Sequence, residues 1–282
     1  EPRVVLMPPR GSHAYGSRLS LSPDGQTLAF SALLAPWVSG SDPLAINPID
    51  RLQSPSASHW FGTDNFGRDT WSRVIYGGRM TVITGLGVVI FAIFFGVLFG
   101  TLSAYYQGLG LVLMRMVDVM MAFPPLLLAL VLVSILNPSV VNVIIAVGIT
   151  YLTTTARIIY SLTLKLREEP FVEAIISAGA GHFRVITRHI IPNLISPIIV
   201  QATFIFAFAL LQTAALDFLG VGLPPEIPSW GNMLTEARMY ITRAPWLLFF
   251  PGIMIVLTVL SLNLVGDVLR DRLDPRFQDD VG

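Results

Sequence analysis

The residues able to do covalent or acid–base chemistry are few in this chain and poorly placed for it. Its 282 residues include no cysteine, which removes thiolate nucleophiles, thiolate metal sites and disulfides. His182 and His189 stand seven residues apart on one helix face, but no carboxylate or cysteine completes a metal set around them, so both read as structural. A phosphate-cradling loop needs Gly-x-x-x-x-Gly-Lys-Ser/Thr; the only lysine, Lys165, follows Leu164 with no glycine nearby. An intramembrane serine protease would show Gly-x-Ser-Gly, which is absent. An aspartyl one would show Gly-x-Gly-Asp, and Leu264-Val265-Gly266-Asp267 lacks the first glycine. The chain is expected to catalyse nothing, to bind no metal and to hold no cofactor. Any ATP energy it uses must come from another chain.

What remains are polar groups inside apolar sequence. Asp118 lies near a helix end with Arg115 three residues before it, and a snorkelling ion pair at the membrane interface is the expected reading. Arg157 falls inside a span, toward one end. Gln201 and Gln212 are eleven residues apart and share a helix face; they either line a path or bond between helices. Secondary carriers place carboxylates near mid-span, and none stands there in this chain. A carrier or channel acting alone is therefore the weaker alternative to a subunit of a larger transporter.

The elements that hold these groups are membrane spans. Hydrophobic residues make up 53% and charged residues 13%, about half the charge of a soluble domain, and the apolar residues come in long uncharged runs. The formal net charge is zero, so no bulk field points to nucleic acid. The expected class is an all-α polytopic helix bundle. A crossing takes about 20 apolar residues. Five runs qualify: residues 80–104, ending at the interfacial pair Tyr105-Tyr106 before a turn at Gln107-Gly108-Leu109-Gly110; residues 113–136 and 140–164, divided at Asn137-Pro138-Ser139; residues 194–216; and residues 246–265. Gly96 and Gly100 in the first of these read as a close helix-packing pair. The apolar stretch 27–38 is only twelve residues long, too short to establish a span at 21–38 by itself. No signal peptide is visible at the start.

With six spans and both termini cytoplasmic, eleven Arg or Lys residues fall inside and six outside, which supports that orientation. Residues 1–39 then form a tail and first span, residues 40–78 an extracytoplasmic segment, and residues 79–282 a permease domain with a cytoplasmic loop at 165–192. In that loop Pro170 suits a first helical position, and residues 171–178 form a short helix. Gly179-Ala180-Gly181 ends it, and residues 182–191 form a second helix that stops at Pro192, with Arg184 and Arg188 on a polar face. Two short helices around a glycine elbow make a stiff knob. It suits docking to another protein, or an amphipathic hairpin lying on lipid.

The loop also carries a resemblance. Pro170-Phe171-Val172-Glu173-Ala174, with Gly179 and then Ile190-Ile191-Pro192-Asn193, resembles the "EAA" loop of bacterial ABC importer permeases. Three further segments are similar to the C-type subunit of the dipeptide, oligopeptide and nickel group. They are His59-Trp60-Phe61-Gly62-Thr63-Asp64-Asn65-Phe66-Gly67-Arg68-Asp69, Pro228-Ser229-Trp230-Gly231-Asn232-Met233-Leu234, and Asn263-Leu264-Val265-Gly266-Asp267 running on to Arg276. The likeness covers residues 40–276 in consistent order. The second alanine of the EAA core is replaced by Ile175, and residues 21–38 make a poor version of the family's first span.

The resemblance implies a type I importer permease of the bacterial inner membrane with six spans. It implies a homologous second permease, two ATPase subunits carrying ATP and Mg, and an extracytoplasmic substrate-binding protein. It assigns ATPase coupling to Phe171, Glu173, Ala174, Ala178, Gly179 and Arg184. Asp64, Arg68, Asp69 and Trp230 become candidate contacts for the binding protein. The substrate stays open between dipeptides, longer peptides, glutathione-like peptides and nickel chelates.

Overall fold

The computed structural model describes residues 42–273. The expected first span at 21–38 lies outside the described residues. Among the described residues the regular secondary structure is helical, apart from a single antiparallel bridge between Thr63 and Asp69. Among the described residues four helices are long and apolar enough to cross a membrane, and a bent helix pair makes a fifth crossing if it counts as one span.

The first spanning helix, α1 (Thr70–Tyr105), begins ten residues before its apolar run. Asp69 is the reason: its side chain accepts from the backbone N–H of Ser72 at 2.9 Å and caps the helix. At 1.5 Å per residue, 36 residues reach about 54 Å, well past a hydrocarbon core of about 30 Å. Arg73 and Arg79 therefore sit on the helix and do not bound it.

The turn expected at residues 107–110 does not form. The chain reverses at Tyr106 alone, and α2 (Gln107–Met121) starts at once. Gly110 serves close packing: a Cβ there would strike the Ser103 carbonyl of α1. The single helix expected over residues 113–136 is also two. α2 gives way to α3 (Pro125–Leu136) after a bend of 98°. Phe123 and Pro124 both precede a proline, which disfavours helical backbone, and Pro124 takes an extended ψ of 132°.

Asn137 turns the chain at φ +69°, and Ser139 caps α4 (Val140–Arg167) by accepting from the N–H of Asn142. α4 runs parallel to α1, with Gly96 against Thr155 and Gly100 against Ala156 and Ile159, so the glycine pair does bring two backbones together. Val88, Ala92, Val143, Ala146 and Val147 fill this seam together with Ile205, Ala209 and Leu216 of α8 (Ile195–Phe218).

Between α4 and α8 lie α5 (Pro170–Ser177), α6 (His182–Val185), a π-helical turn (Ile186–Ile190) and α7 (Ile191–Asn193). The second short helix is thus not the plain α-helix expected to stop at Pro192. Proline in an α-helix strikes the carbonyl four residues back, and the wider turn just before Pro192 makes room for its ring. After α8 come α9 (Trp230–Ala237) and α10 (Trp246–Leu273), which runs eight residues past the expected end at Val265.

Candidate functional site

Two built surfaces stand at opposite ends of α1. At its C-terminal end the loop after α4 is fastened down. Val172, Val185, Ile186, Ile190 and Leu194 are buried together with Tyr105 and Ile159. The Tyr105 hydroxyl lies 2.8 Å from His182 Nδ1, and Arg167 donates to the Ala104 carbonyl at 3.1 Å while its guanidinium covers the Tyr105 ring. His182 thereby helps fasten the loop to the end of α1.

Gly179 has φ +86°, and the Ala180 N–H donates back to the Ile175 carbonyl at 3.2 Å, the six-to-one bond of a helix stop. Nothing lies within 4 Å of where a Cβ would stand on Gly179. Around this elbow Phe171, Glu173, Ala174, Ala178 and Arg184 are exposed. Phe183 is 81% exposed, and Ile176 adds to the same uncovered knob. Ile175, which departs from the EAA pattern, turns inward and packs against the buried cluster. Its bulk falls beneath the knob, not on the outward face.

At the N-terminal end of α1, residues 42–69 fold onto α9 and the start of α10 through a buried charge cluster. Asp64 accepts from Arg68 Nε and Arg73 Nη1, each at 2.6 Å; Glu236 accepts from Arg68 Nη2 at 2.8 Å and from Arg73 at 2.6 and 2.9 Å. Two guanidiniums and two carboxylates cancel, which is what makes their burial tolerable. Asp69 spends its carboxylate on the α1 cap and on His59 Nδ1 at 3.1 Å. Trp230 donates its indole N–H to the Val74 carbonyl. Of the four residues expected to meet a binding protein, Asp64, Arg68 and Trp230 are thus interior, and Asp69 is half-buried. What this end presents outward is Trp60, 64% exposed, with Phe66 and Ile49.

A second anchor was missed in the sequence. Asp217, near the end of α8 and 3% exposed, accepts from the Leu223 N–H and the Ser229 hydroxyl, both at 2.7 Å. Ser229 in turn caps α9. One carboxylate thereby fixes both ends of the loop between α8 and α9. The visible signal was an acid closing an apolar run just before Gly220-Val221-Gly222.

The two glutamines separate. Gln212 is buried and donates to the Pro125 carbonyl at 2.9 Å, joining α8 to α3, whereas Gln201 is half-buried. Asp118 does not pair with Arg115. Its partner is Arg157 of α4, and both side chains are about two-fifths exposed. A tertiary neighbour won over the local one. No cluster of metal ligands occurs among the described residues.

A family model described as binding-protein-dependent transport system inner membrane component matches residues 66–279. A putative peptide transport system permease protein of Brucella suis biovar 1 is 44% identical over 251 residues, covering 89% of this chain and 85% of its own. The dipeptide transport system permease protein of Alkalihalophilus pseudofirmus is 44% identical over 248 residues, covering 88% of this chain and 82% of its own. Among solved structures, a chain of the MetNI methionine ABC transporter in an inward-facing form superposes with a TM-score of 0.59 at 15% identity, over 71% of this chain and 96% of that one. At that identity the likeness shows the fold alone, and the fold is the helical transporter bundle expected from the sequence.

Proposed function

We propose, for a chain that belongs to the family of binding-protein-dependent transport system inner membrane components, that it forms half of an ATP-driven import path for short peptides. The chain is a transporter subunit of the inner membrane. The peptide reading comes from the names of its relatives and from the resemblance in four separated segments. A second, homologous permease would complete the path. Two ATPase subunits would carry ATP and Mg, and an extracytoplasmic binding protein would deliver the solute.

The observation that carries this reading is the knob of residues 170–193. ATP-driven movement reaches the spans only through a stiff element that contacts the ATPase differently in its two states. The knob is stiff because its inner face is buried against α1, α4 and α8. It is free to dock because Phe171, Ile176 and Phe183 are exposed among the described residues. Phe171, Glu173, Ala174, Ala178, Gly179 and Arg184 are proposed as the coupling set. At the other end Trp60 and Phe66 are proposed as the contact for the binding protein, in place of the buried Asp64, Arg68 and Trp230.

The test is purification and reconstitution. Isolated through a tag on this chain, the protein should bring a second permease and two ATPases, and the complex should show ATP hydrolysis stimulated by a peptide-loaded binding protein. Transport by this chain alone in liposomes would make it a carrier and end the proposal.

A further inference from the structure

The exposed positions of the spanning helices are of two kinds. On α1 they are Leu86, Ile90, Phe94 and Leu98, an apolar stripe at intervals of four that suits lipid. On α4, beyond Val141 at its start, they are Thr154, Arg157, Ser161 and Lys165, also on one face and without an apolar member. Thr154 stands midway along the 28-residue helix and has no long stem with which to reach an interface. Polar and charged groups at such depth face protein or a water-filled cavity, because hydrocarbon cannot solvate them.

Within the described residues one charged partner meets this stripe: Asp118 of α2 pairs with Arg157. Both side chains stay about two-fifths exposed, so each keeps a side free for another ligand. The pair presents one cation and one anion together and is neutral when nothing is bound.

Resting on the transport reading above, we propose that the α4 stripe Thr154, Arg157, Ser161 and Lys165 is the wetted wall of the translocation path, and that Arg157 and Asp118 together receive the carboxylate and ammonium of a small zwitterion such as a short peptide. Gln212 is already committed to the Pro125 carbonyl, so its share of that role passes to α4. The arrangement selects by charge type and not by side chain. That suits a path through which many peptides pass.

The chain has no cysteine, so single cysteines placed in it report without background from this subunit. In the assembled complex in inside-out vesicles, Thr154→Cys and Ser161→Cys should react with a permanently charged methanethiosulfonate at least about tenfold faster than Phe94→Cys, because a thiol in hydrocarbon does not ionise. Equally slow reaction at all three positions would overturn the wetted wall. In a second arm the double variant Asp118→Asn, Arg157→Gln, combined with each cysteine, should keep those labelling rates, yet intact cells carrying the double variant should take up radiolabelled alanyl-alanine about tenfold more slowly. Unchanged uptake would overturn the solute contact. Failure of the unaltered complex to take up the dipeptide would count against the peptide reading instead, while the cysteine rates decide the wall by themselves.

Discussion

Arg73 and Glu236, 163 positions apart in the chain, hold each other through two hydrogen bonds of 2.6 and 2.9 Å. Arg73 is 2% exposed, and its Nη1 also reaches Asp64. This contact ties the start of a spanning helix to α9 and brings the segment before α1 into the same unit.

Removing one carboxylate from this cluster should leave two guanidiniums sharing Asp64. Breaking a buried pair in this way costs about 3–5 kcal/mol. Glu236→Ala should therefore lower the midpoint of thermal unfolding of the detergent-solubilised complex. The double variant Arg73→Met, Glu236→Ala should lose less than the sum of its two single changes, since it strands no charge. Additive losses would mean that the two residues do not interact.

Asp217 should matter in a more local way. Asp217→Ala leaves the Leu223 N–H and the Ser229 hydroxyl without their acceptor, at about 1–3 kcal/mol for each group that stays buried. The loop between α8 and α9 should loosen while the spans persist. Limited proteolysis should then cut residues 219–229 in Asp217→Ala and spare Asp217→Asn, which keeps one oxygen acceptor. Equal resistance in all three proteins would remove Asp217 as the anchor.

The spans were legible because hydrocarbon demands long uncharged runs: α4 and α8 stand within a few residues of the expected ranges, and α1 and α10 contain theirs. Their ends were not legible. Starting the first helix at residue 80, where the apolar run begins, left out the Asp69 cap, and a helix outside the hydrocarbon tolerates charge when partners such as Glu236 lie nearby. The Pro124-Pro125 break was readable and was passed over because the run stayed apolar through it. The glycine elbow at Gly179 was legible because its conformation is local. The Asp64, Arg68, Arg73 and Glu236 cluster was not, since its members are distant in sequence and their burial is a property of the fold. The same holds for Asp118, whose nearest cation in sequence is not its nearest in space.

The proposed sidedness is directly testable. Ser56 and Glu226 are exposed at the end of α1 that carries the charge cluster, and Ser177 is exposed on the knob at the other end. Single cysteines at Ser56 and Glu226 should react with an impermeant maleimide in intact cells, and one at Ser177 only after permeabilisation. Ser229 is a poor reporter because it is buried under Asp217. The reverse pattern would place the knob outside and separate it from any cytoplasmic ATPase.

Gly179 offers the sharpest test of the coupling element. No neighbour would meet a Cβ there, so a substitution is penalised by its backbone alone. At φ +86° a residue with a Cβ costs about 1–2 kcal/mol, and a β-branched one sits at the upper end. The strain can be relieved by letting the elbow open, which redirects α6 and carries Phe183 away from Phe171. Gly179→Val should therefore insert in the membrane normally but recover fewer ATPase subunits on purification and lose peptide-stimulated ATP hydrolysis. Gly179→Asn should keep most of both, because asparagine tolerates the left-handed region. Glu173→Ala should be milder than Gly179→Val, since an exposed carboxylate contributes little until a docked partner excludes water. The readouts are subunit stoichiometry on a gel and the ratio of stimulated to basal hydrolysis. Full stoichiometry and full stimulation in Gly179→Val would show that the elbow does not set the docking geometry, and the coupling role of residues 170–193 would fall with it.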